Sequence, residues 1–185
     1  MKEKTNIAVK PRLAFYHPNS KGNGSAAALE LLPALGRDEG GVYLTLANQL
    51  TVGNRSGDNP TFPTFDWENR ITIFLDFFDL CKILQVLRGV KEAIDDGNGM
   101  FHRSGRHNTK IVFRHLVDPV AGYSLEIYRT SVDGKTESRA RIFFSDWEAV
   151  GLMEALTGAM VYVGFGVPLL ASSAKPLAAA GAGAQ

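Results

Sequence analysis

Twice along this chain, a strand pattern runs straight into a helix pattern, and this repetition constrains the fold more than any other feature. In residues 69–76, apolar and other side chains alternate, which places Ile71, Ile73 and Leu75 on one side of a strand. A helical period begins at once, and Gly89 lies just past its end. Its apolar stripe consists of Phe77, Leu80, Ile83, Leu84 and Leu87. This segment therefore predicts a strand followed directly by a helix.

The second half of the chain repeats this plan. Strands are predicted at residues 110–117, 122–130 and 138–144, where β-branched and aromatic residues alternate with polar ones. Ser145 and Asp146 then cap a long apolar helix. Because the strands follow one another in series instead of alternating with helices, the sheets are predicted to be antiparallel and the fold class to be α+β.

Composition divides the chain into three parts. Residues 1–20 carry four lysine or arginine residues against a single glutamate, and we predict that they form a basic N-terminal arm. Residues 21–166 are predicted to form one domain, with two further strands at 25–32 and 42–46. The Ala- and Gly-rich residues 167–185 are predicted to be a flexible tail.

The C-terminal helix is apolar enough to resemble a membrane span, because residues 149–170 contain one charge, Glu154. At helical spacing, however, one face carries Leu152, Met153, Leu156, Met160 and Val163, while small and polar residues lie opposite. A helix surrounded by lipid would be apolar all round. Since the N-terminus shows neither a signal-peptide nor a transit-peptide pattern, we expect a cytoplasmic protein without a membrane span.

No motif in the sequence calls for an enzyme. The single cysteine, Cys81, excludes an intrachain disulfide framework and a multi-cysteine zinc site. The spacing of His102, His107 and His115 fits no zinc pattern. Residues 22–27 match G-x-G-x-x-A but lack the strand and helix that a dinucleotide site needs on either side. We therefore expect a non-enzymatic protein with no cofactor and no metal.

Basic residues are concentrated in one stretch, although the net charge is only +1. Residues 100–115 contain four basic residues, three histidines and no acid. Nucleic-acid binding depends on a locally basic surface and not on a basic total. This stretch is therefore a candidate for contacts with a phosphate backbone.

Strand alternation predicts that the basic side chains of two strands share one face of a sheet. The residues predicted to face the core are Ile111, Phe113, Val117, Ala140, Ile142 and Phe144. Those predicted to face outward are Lys110, Arg114, Arg139, Arg141 and Phe143. Cations beside an exposed ring suit single-stranded nucleic acid, whose phosphates need charge and whose bases need a stacking partner. The alternative is a solvated sheet face with surface ion pairs and no ligand.

The order of several short motifs resembles the Whirly family of single-stranded DNA-binding proteins, within a transcriptional-coactivator-type superfamily that has phage and bacterial members. Lys21-Gly22 precedes a small-residue strand, Phe65-Asp66-Trp67 precedes a strand and a helix, and Phe101-His102 precedes the last three strands. The similarity extends over residues 15 to 166, about four fifths of the chain.

The resemblance implies two antiparallel four-stranded sheets packed across each other, with two main helices that mediate a homo-oligomer, a tetramer or larger. It also implies that single strands run over sheet edges between subunits. The absence of a transit-peptide pattern favours a prokaryotic or phage member, acting in the bacterial cytoplasm or the infected cell.

We therefore predict a sequence-tolerant single-stranded DNA-binding protein that protects or organises single strands in replication, recombination or repair. Two alternatives stay open: an RNA-binding or annealing factor of the same fold, and an interaction module that binds no nucleic acid. The residues predicted to contact nucleic acid are Lys21, Arg70, Phe74, Phe101, His102, Arg103, Arg106, Lys110, Arg114, Arg139, Arg141 and Phe143.

Overall fold

Two antiparallel sheets and two helices make up the computed structural model, which describes residues 12–35, 38–54 and 59–166. This arrangement confirms the predicted α+β class. The predicted tail at 167–185 lies outside the described residues, as do residues 1–11.

The first sheet is built around one long strand. Its strands are β1 (Arg12–His17), β2 (Ser25–Leu32), β3 (Gly41–Thr51), β4 (Thr64–Phe65) and β5 (Ile71–Leu75). The order across the sheet is β1-β2-β3, and the far edge of β3 pairs with β5 along one half and with the short β4 near its end. The sheet therefore has five strands where four were predicted, because two residues of the following loop pair with the end of β3.

The second sheet is a meander of four strands. These are β6 (Met100–Arg103), β7 (His107–Leu116), β8 (Gly122–Ser131) and β9 (Glu137–Phe144), hydrogen-bonded in that order. A short 3-10 turn, Ile94–Gly97, leads into β6. Each sheet ends in a strand that passes directly into a helix, as the sequence predicts.

Each helix begins with a capping box that the preceding strand delivers. Helix α1 (Phe77–Leu87) has Asp76 at its N-cap, and Asp76 and Asp79 each accept a hydrogen bond from the other's backbone N–H. In helix α2 (Asp146–Phe165), Glu148 accepts hydrogen bonds from both the N–H and the hydroxyl of Ser145. Such reciprocal bonds satisfy donors that would otherwise lack partners at a helix start.

The core lies between the inner faces of the two sheets and under both helices. The side chains predicted to point inward from β3, β5, β7 and β9 are buried, and Leu46, Leu75, Ile111 and Phe144 have almost no exposed surface. Asn48 Nδ2 donates to the Arg139 carbonyl at 3.2 Å, and Arg129 donates to the Thr72 carbonyl. The two sheets are therefore joined by polar contacts at their margins as well as by the apolar core.

The predicted duplication extends to a packing detail at the end of each sheet. Phe74 of β5 lies over Gly41, where an added Cβ would come within 2.3 Å of the ring, and Phe143 of β9 lies over Gly122, where the corresponding distance is 2.4 Å. In each repeat, the strand that precedes the helix thus places an aromatic ring on the glycine that opens its neighbour. A larger residue at either glycine would displace the ring.

Each repeat consists of one sheet and the helix that follows it. Two histidines, one from each repeat, form side-chain contacts between the repeats. His17 of β1, in the first repeat, contacts Glu148 of α2 with Nε2 and Oε1 2.7 Å apart. His102 of β6, in the second repeat, contacts Asp79 of α1 with Nε2 and Oδ2 2.9 Å apart. The first strand of each repeat therefore reaches the capping acid of the other repeat's helix.

Two sequence expectations need correction. Arg12–His17 was assigned to the N-terminal arm but forms β1, so the folded domain includes this strand, which lies before residue 21. The pattern hides this strand because apolar residues occur on both of its sides. Val117, predicted to be in the core, is 78% exposed because β7 ends at Leu116, so the alternation no longer applies.

Helix α2 is the one helix among the described residues that is long and apolar enough to cross a membrane, judged by length and composition alone. One stripe of it is buried in the core: Ala149, Leu152, Leu156, Ala159 and Val163. Because this stripe packs against the sheets, the helix contributes to the folded domain in the way that the sequence predicts.

Candidate nucleic-acid interface

Alternation along three paired strands builds one polar face on the second sheet. Register places Lys110 beside Tyr128 and Tyr128 beside Arg139, and it places Glu126 beside Arg141. We call this surface the sheet-two face, which consists of Phe101, Lys110, Arg114, Glu126, Tyr128, Arg139, Arg141 and Phe143. It contains every residue that strand alternation predicts to face outward.

Glu126 lies at the centre of the sheet-two face and is only 2% exposed. Arg114 donates to its Oε1 at 2.9 Å, and Arg139 donates to its Oε2 at 2.7 Å. The Tyr128 hydroxyl donates to Oε2 at 2.5 Å, and Arg141 Nε lies 3.7 Å from Oε1. One carboxylate thus holds three guanidinium groups in place, and with Lys110 the cluster keeps a net charge of +3.

The pKa of Glu126 shows how strongly this cluster favours the carboxylate. Burial by itself would raise the pKa. Hydrogen bonds from Tyr128, Arg139 and Arg114, together with the charge of Arg141, outweigh burial and lower the pKa to about 2. Glu126 therefore stays ionised at any physiological pH, and the three arginines keep a fixed partner.

The outer part of the sheet-two face combines rings with cations. Phe101 is 70% exposed, and Lys110 Nζ lies 5.5 Å from the centre of its ring. The Arg139 guanidinium lies 4.9 Å from the ring of Tyr128. Such pairs hold cationic groups beside aromatic surfaces. A single strand laid across this face would meet charge for its phosphates and an exposed ring for a base.

Two more of the predicted basic residues lie beside this face, and a third, Lys21, belongs to the first sheet. Arg103 is exposed on the edge strand β6, on the same side as Phe101. Arg106 is exposed in the turn between β6 and β7, and its carbonyl accepts a hydrogen bond from the N–H of Val132. Lys21 is exposed in the turn between β1 and β2.

Three other predicted residues lie elsewhere. Arg70 and Phe74 are on the outer face of the first sheet, where Phe74 packs against Tyr43 with ring centres 5.3 Å apart. His102 points from β6 towards α1 and contacts Asp79. The strand pattern identifies a face within one sheet, but it does not show that residues from different sheets lie apart.

The outer face of the first sheet holds an aromatic cluster that strand alternation did not identify. Tyr16 lies 5.6 Å from Phe65 and 6.4 Å from Trp67, measured between ring centres, and Arg70 donates a hydrogen bond to the Trp67 carbonyl. A cleft of about 350 Å³ lies beside Trp67 and Arg70. The triplet Phe65-Asp66-Trp67 was the sequence feature that belonged to this cluster. It was used only as a motif that resembles the Whirly family, and it did not predict that these rings would lie together.

The His102–Asp79 pair predicts how stability depends on pH. The hydrogen bond that the His102 ring donates to the Asp79 carboxylate is the largest cause of a raised pKa for His102, and burial opposes it. Because the folded-state pKa is raised, the pair stabilises the fold fully below the unfolded pKa of about 6.5 and loses this contribution as pH rises through the folded value.

We therefore expect the free energy of unfolding to fall between pH 6 and pH 8, and we expect His102→Gln to reduce that fall. Urea denaturation of both proteins across this range measures the difference. Identical pH profiles for the two proteins would show that the pair does not act on stability.

No group of three or more histidine, cysteine, aspartate or glutamate side chains in the described part of the chain is placed to hold a metal ion. Gly22 and Gly24, which gave the G-x-G-x-x-A match, lie in the turn between the antiparallel strands β1 and β2. That turn has no βαβ context for a dinucleotide.

Solved structures with this arrangement of sheets and helices are found by structural comparison. WHY1 from Arabidopsis thaliana is 14% identical, with a TM-score of 0.66 over 88% of each chain. The plant transcriptional regulator PBF-2 is 20% identical, with a TM-score of 0.66 over 91% of this chain and 89% of its own. A guide-RNA-binding protein complex bound to a guide RNA is 20% identical, with a TM-score of 0.53 over 86% and 97%.

No protein-family model matches the sequence. No curated protein matches it either. The likeness to these proteins is therefore structural: it extends over most of both chains, with two antiparallel sheets each followed by a helix. Together these observations show that this chain has the fold of the Whirly proteins.

Proposed function

We propose that this protein binds single-stranded DNA across the sheet-two face, without strong sequence preference and without catalysing a reaction. The observation that carries the proposal is the net charge of +3 held around Glu126 beside the exposed ring of Phe101. Cations that meet phosphates bind every sequence alike, and an aromatic ring stacks on any base. Protection or organisation of single strands in replication, recombination or repair fits this mode of binding, and we place the protein in the cytoplasm of a bacterial or phage-infected cell.

RNA is the second candidate ligand. A structural neighbour of this chain is a guide-RNA-binding complex bound to a guide RNA, so this fold occurs in an RNA-binding protein. Phosphate contacts and base stacking are common to both ligands, and only the 2′-hydroxyl distinguishes them at a given site.

Competition with matched oligonucleotides separates these candidates. A fluorescein-labelled DNA 20-mer would be displaced by unlabelled DNA and RNA of the same sequence, and the two competitor concentrations at half-displacement compared. The proposal predicts that DNA competes at the lower concentration. Preferential displacement by RNA would assign the site to RNA. If neither DNA nor RNA binds, the sheet-two face is a solvated surface without a nucleic-acid ligand.

We also propose that the protein is a homo-oligomer, a tetramer or larger, assembled through the exposed side of α2. Val150, Val161, Tyr162 and Phe165 on this helix are exposed although they are apolar or aromatic. The buried stripe of the helix already serves the core of the chain. Apolar surface that remains exposed on a second side marks an interaction surface.

Light scattering at micromolar concentration measures this assembly. The expected mass is at least four times that of the 20.1 kDa chain. Val161→Glu is expected to lower that mass, whereas Val132→Glu, which changes an equally exposed valine in a turn of the second sheet, should not. A monomer mass for the unmodified protein would contradict the proposal.

A further inference from the structure

A groove of about 480 Å³ lies between the turn that joins β1 to β2 and the first turn of α2. Its walls come from both repeats, because the turn belongs to the first and the helix to the second. The residues that line this groove include Asn23, Gly24, Arg141, Phe143, Trp147 and Glu148.

The turn side of this groove is rigid. Gln49, which is buried, accepts hydrogen bonds from the N–H groups of Asn19 and Gly24 at 2.9 and 3.0 Å. Its Nε2 donates to the carbonyls of Asn19 and Thr51 at 3.1 and 2.9 Å. Because one side chain fixes the turn from within, the shape of the groove exists before any ligand binds.

The helix side of the groove presents an indole ring to solvent. Trp147 is 77% exposed, and the half-buried ring of Phe143 lines the same groove. A tryptophan that exposes most of its surface is uncommon unless the ring has a partner. Two rings in one groove provide a surface on which a planar, apolar ligand can stack.

The charges in the groove suit a phosphate beside that ligand. The Arg141 side chain is half-exposed and donates through Nε to the Ser124 hydroxyl at 3.1 Å. The carboxylate of Glu148 is mostly buried. It accepts hydrogen bonds from Ser145 and contacts His17, so its charge is already paired. Exposed charge in the groove is therefore positive.

The first repeat contains the equivalent position without these charges. Phe78 is the second residue of α1, as Trp147 is of α2, and it is 73% exposed. The cleft that Phe78 lines contains the carboxyl groups of Asp38, Glu39 and Asp76, and no lysine or arginine is among its described lining residues. Three carboxyl groups oppose a phosphate, so the duplication supplies a matched position where an anionic ligand is disfavoured.

We propose that the groove at the start of α2 binds one unstacked nucleobase of the single strand, with Trp147 as the stacking ring and Arg141 at the adjoining phosphate. Asn23 on the opposite wall brings a side-chain amide to the groove. This inference rests on the proposed function, and it extends the path of the strand from the sheet-two face, which supplies Arg141 and Phe143, to the turn between β1 and β2.

Tryptophan fluorescence tests the stacking directly, because the chain has two tryptophans, Trp67 and Trp147. In Trp67→Phe protein, titration with oligo(dT) is expected to quench Trp147 emission along the same binding curve that fluorescence anisotropy of labelled oligo(dT) gives. The reciprocal protein, Trp147→Phe, reports on Trp67 in the aromatic cluster of the first sheet and is expected to respond weakly.

Affinity measurements on two matched variants complete the test. Trp147→Ala is expected to weaken oligo(dT) binding by about 5- to 150-fold, the factor that corresponds to loss of one stacked base. Phe78→Ala removes an equally exposed ring from the same position of the other helix and should stay within about twofold of the unmodified protein. Circular dichroism and light scattering check that both variants keep their fold and mass.

The outcomes separate this inference from the proposed function. Tight binding with unquenched Trp147 and an unaffected Trp147→Ala variant would overturn the base site while leaving single-strand binding intact. A change in oligomer mass in Trp147→Ala without quenching in Trp67→Phe would assign Trp147 to assembly and also overturn it. Absence of any binding by the unmodified protein would overturn both proposals.

Discussion

Glu126→Gln is expected to be the most destabilising single charge removal on the second sheet, at about 3–4 kcal/mol near neutral pH. The pKa of Glu126 is lowered from 4.5 to about 2, and each tenfold change in an acid constant corresponds to about 1.4 kcal/mol. The amide cannot attract Arg114, Arg139 and Arg141 as the carboxylate does, and the three guanidinium groups then repel one another. Urea denaturation at pH 7 measures the loss.

The pH dependence of this loss identifies its cause. A lowered folded-state pKa gives stability that is present above the unfolded pKa and disappears as pH falls through the folded value. The difference between Glu126→Gln and the unmodified protein should therefore shrink between pH 4.5 and pH 2. Glu137→Gln removes an exposed carboxylate from the same face and should change stability by no more than about 0.5 kcal/mol. Equal effects of the two variants would show that Glu126 is not the centre of the cluster.

Replacing Lys110 and Arg139 together by glutamine is expected to give a large loss of affinity for single strands. Each cation that contacts a phosphate of a single strand contributes about 0.7 to the slope of log affinity against log salt. Loss of two contacts should flatten the slope by about 1.4 and weaken binding roughly 60-fold at 50 mM salt. Arg114 and Arg141 stay paired with Glu126 in this variant, so the buried carboxylate keeps two of its three arginine partners.

A matched pair of lysines controls for net charge. Lys82 and Lys91 are paired with Asp95 and Asp96 near α1, outside the sheet-two face. Replacing both by glutamine removes the same charge and should leave the slope almost unchanged. If the Lys110 and Arg139 variant folds and matches this control in affinity and slope, the strand does not cross the sheet-two face.

Phe101→Ala separates stacking from charge on the same face. The ring is exposed and packs against little of the core, so its removal should cost about 1–3 kcal/mol of binding energy and leave the salt slope unchanged. Phe143 is less suitable for this test, because its ring lies on Gly122 and its loss would also weaken the sheet. A flattened slope in Phe101→Ala would mean that the variant disturbs Lys110 instead.

Local patterns in the sequence predicted those parts of the fold where one face of a strand or helix is buried. Ile71, Ile73 and Leu75 alternate cleanly, and they are buried as predicted. The strands that escaped prediction lack such a pattern. In β1, Leu13, Ala14, Phe15 and Tyr16 are apolar or aromatic on both sides, and β6 has four residues, too few to show a period.

The candidate site was predicted in outline but not in its electrostatics. Alternation correctly placed Lys110, Arg114, Arg139 and Arg141 on one face, because the direction of a side chain along a single strand follows from the local sequence. The role of Glu126 depends on register between β7, β8 and β9, which sets the acid between arginines of two neighbouring strands. The groove at Trp147 was not predicted, because it joins a turn and a helix that are more than 120 residues apart along the chain.

Preference for single strands over duplex tests the central claim most directly. Fluorescence anisotropy would compare a labelled 20-nucleotide oligo(dT) with a labelled duplex of equal length at the same salt concentration. Exposed rings can stack only on bases that are not already paired and stacked, so the account predicts tighter binding to the single strand. Equal or tighter binding to the duplex would show that charge alone is recognised, and it would contradict the account.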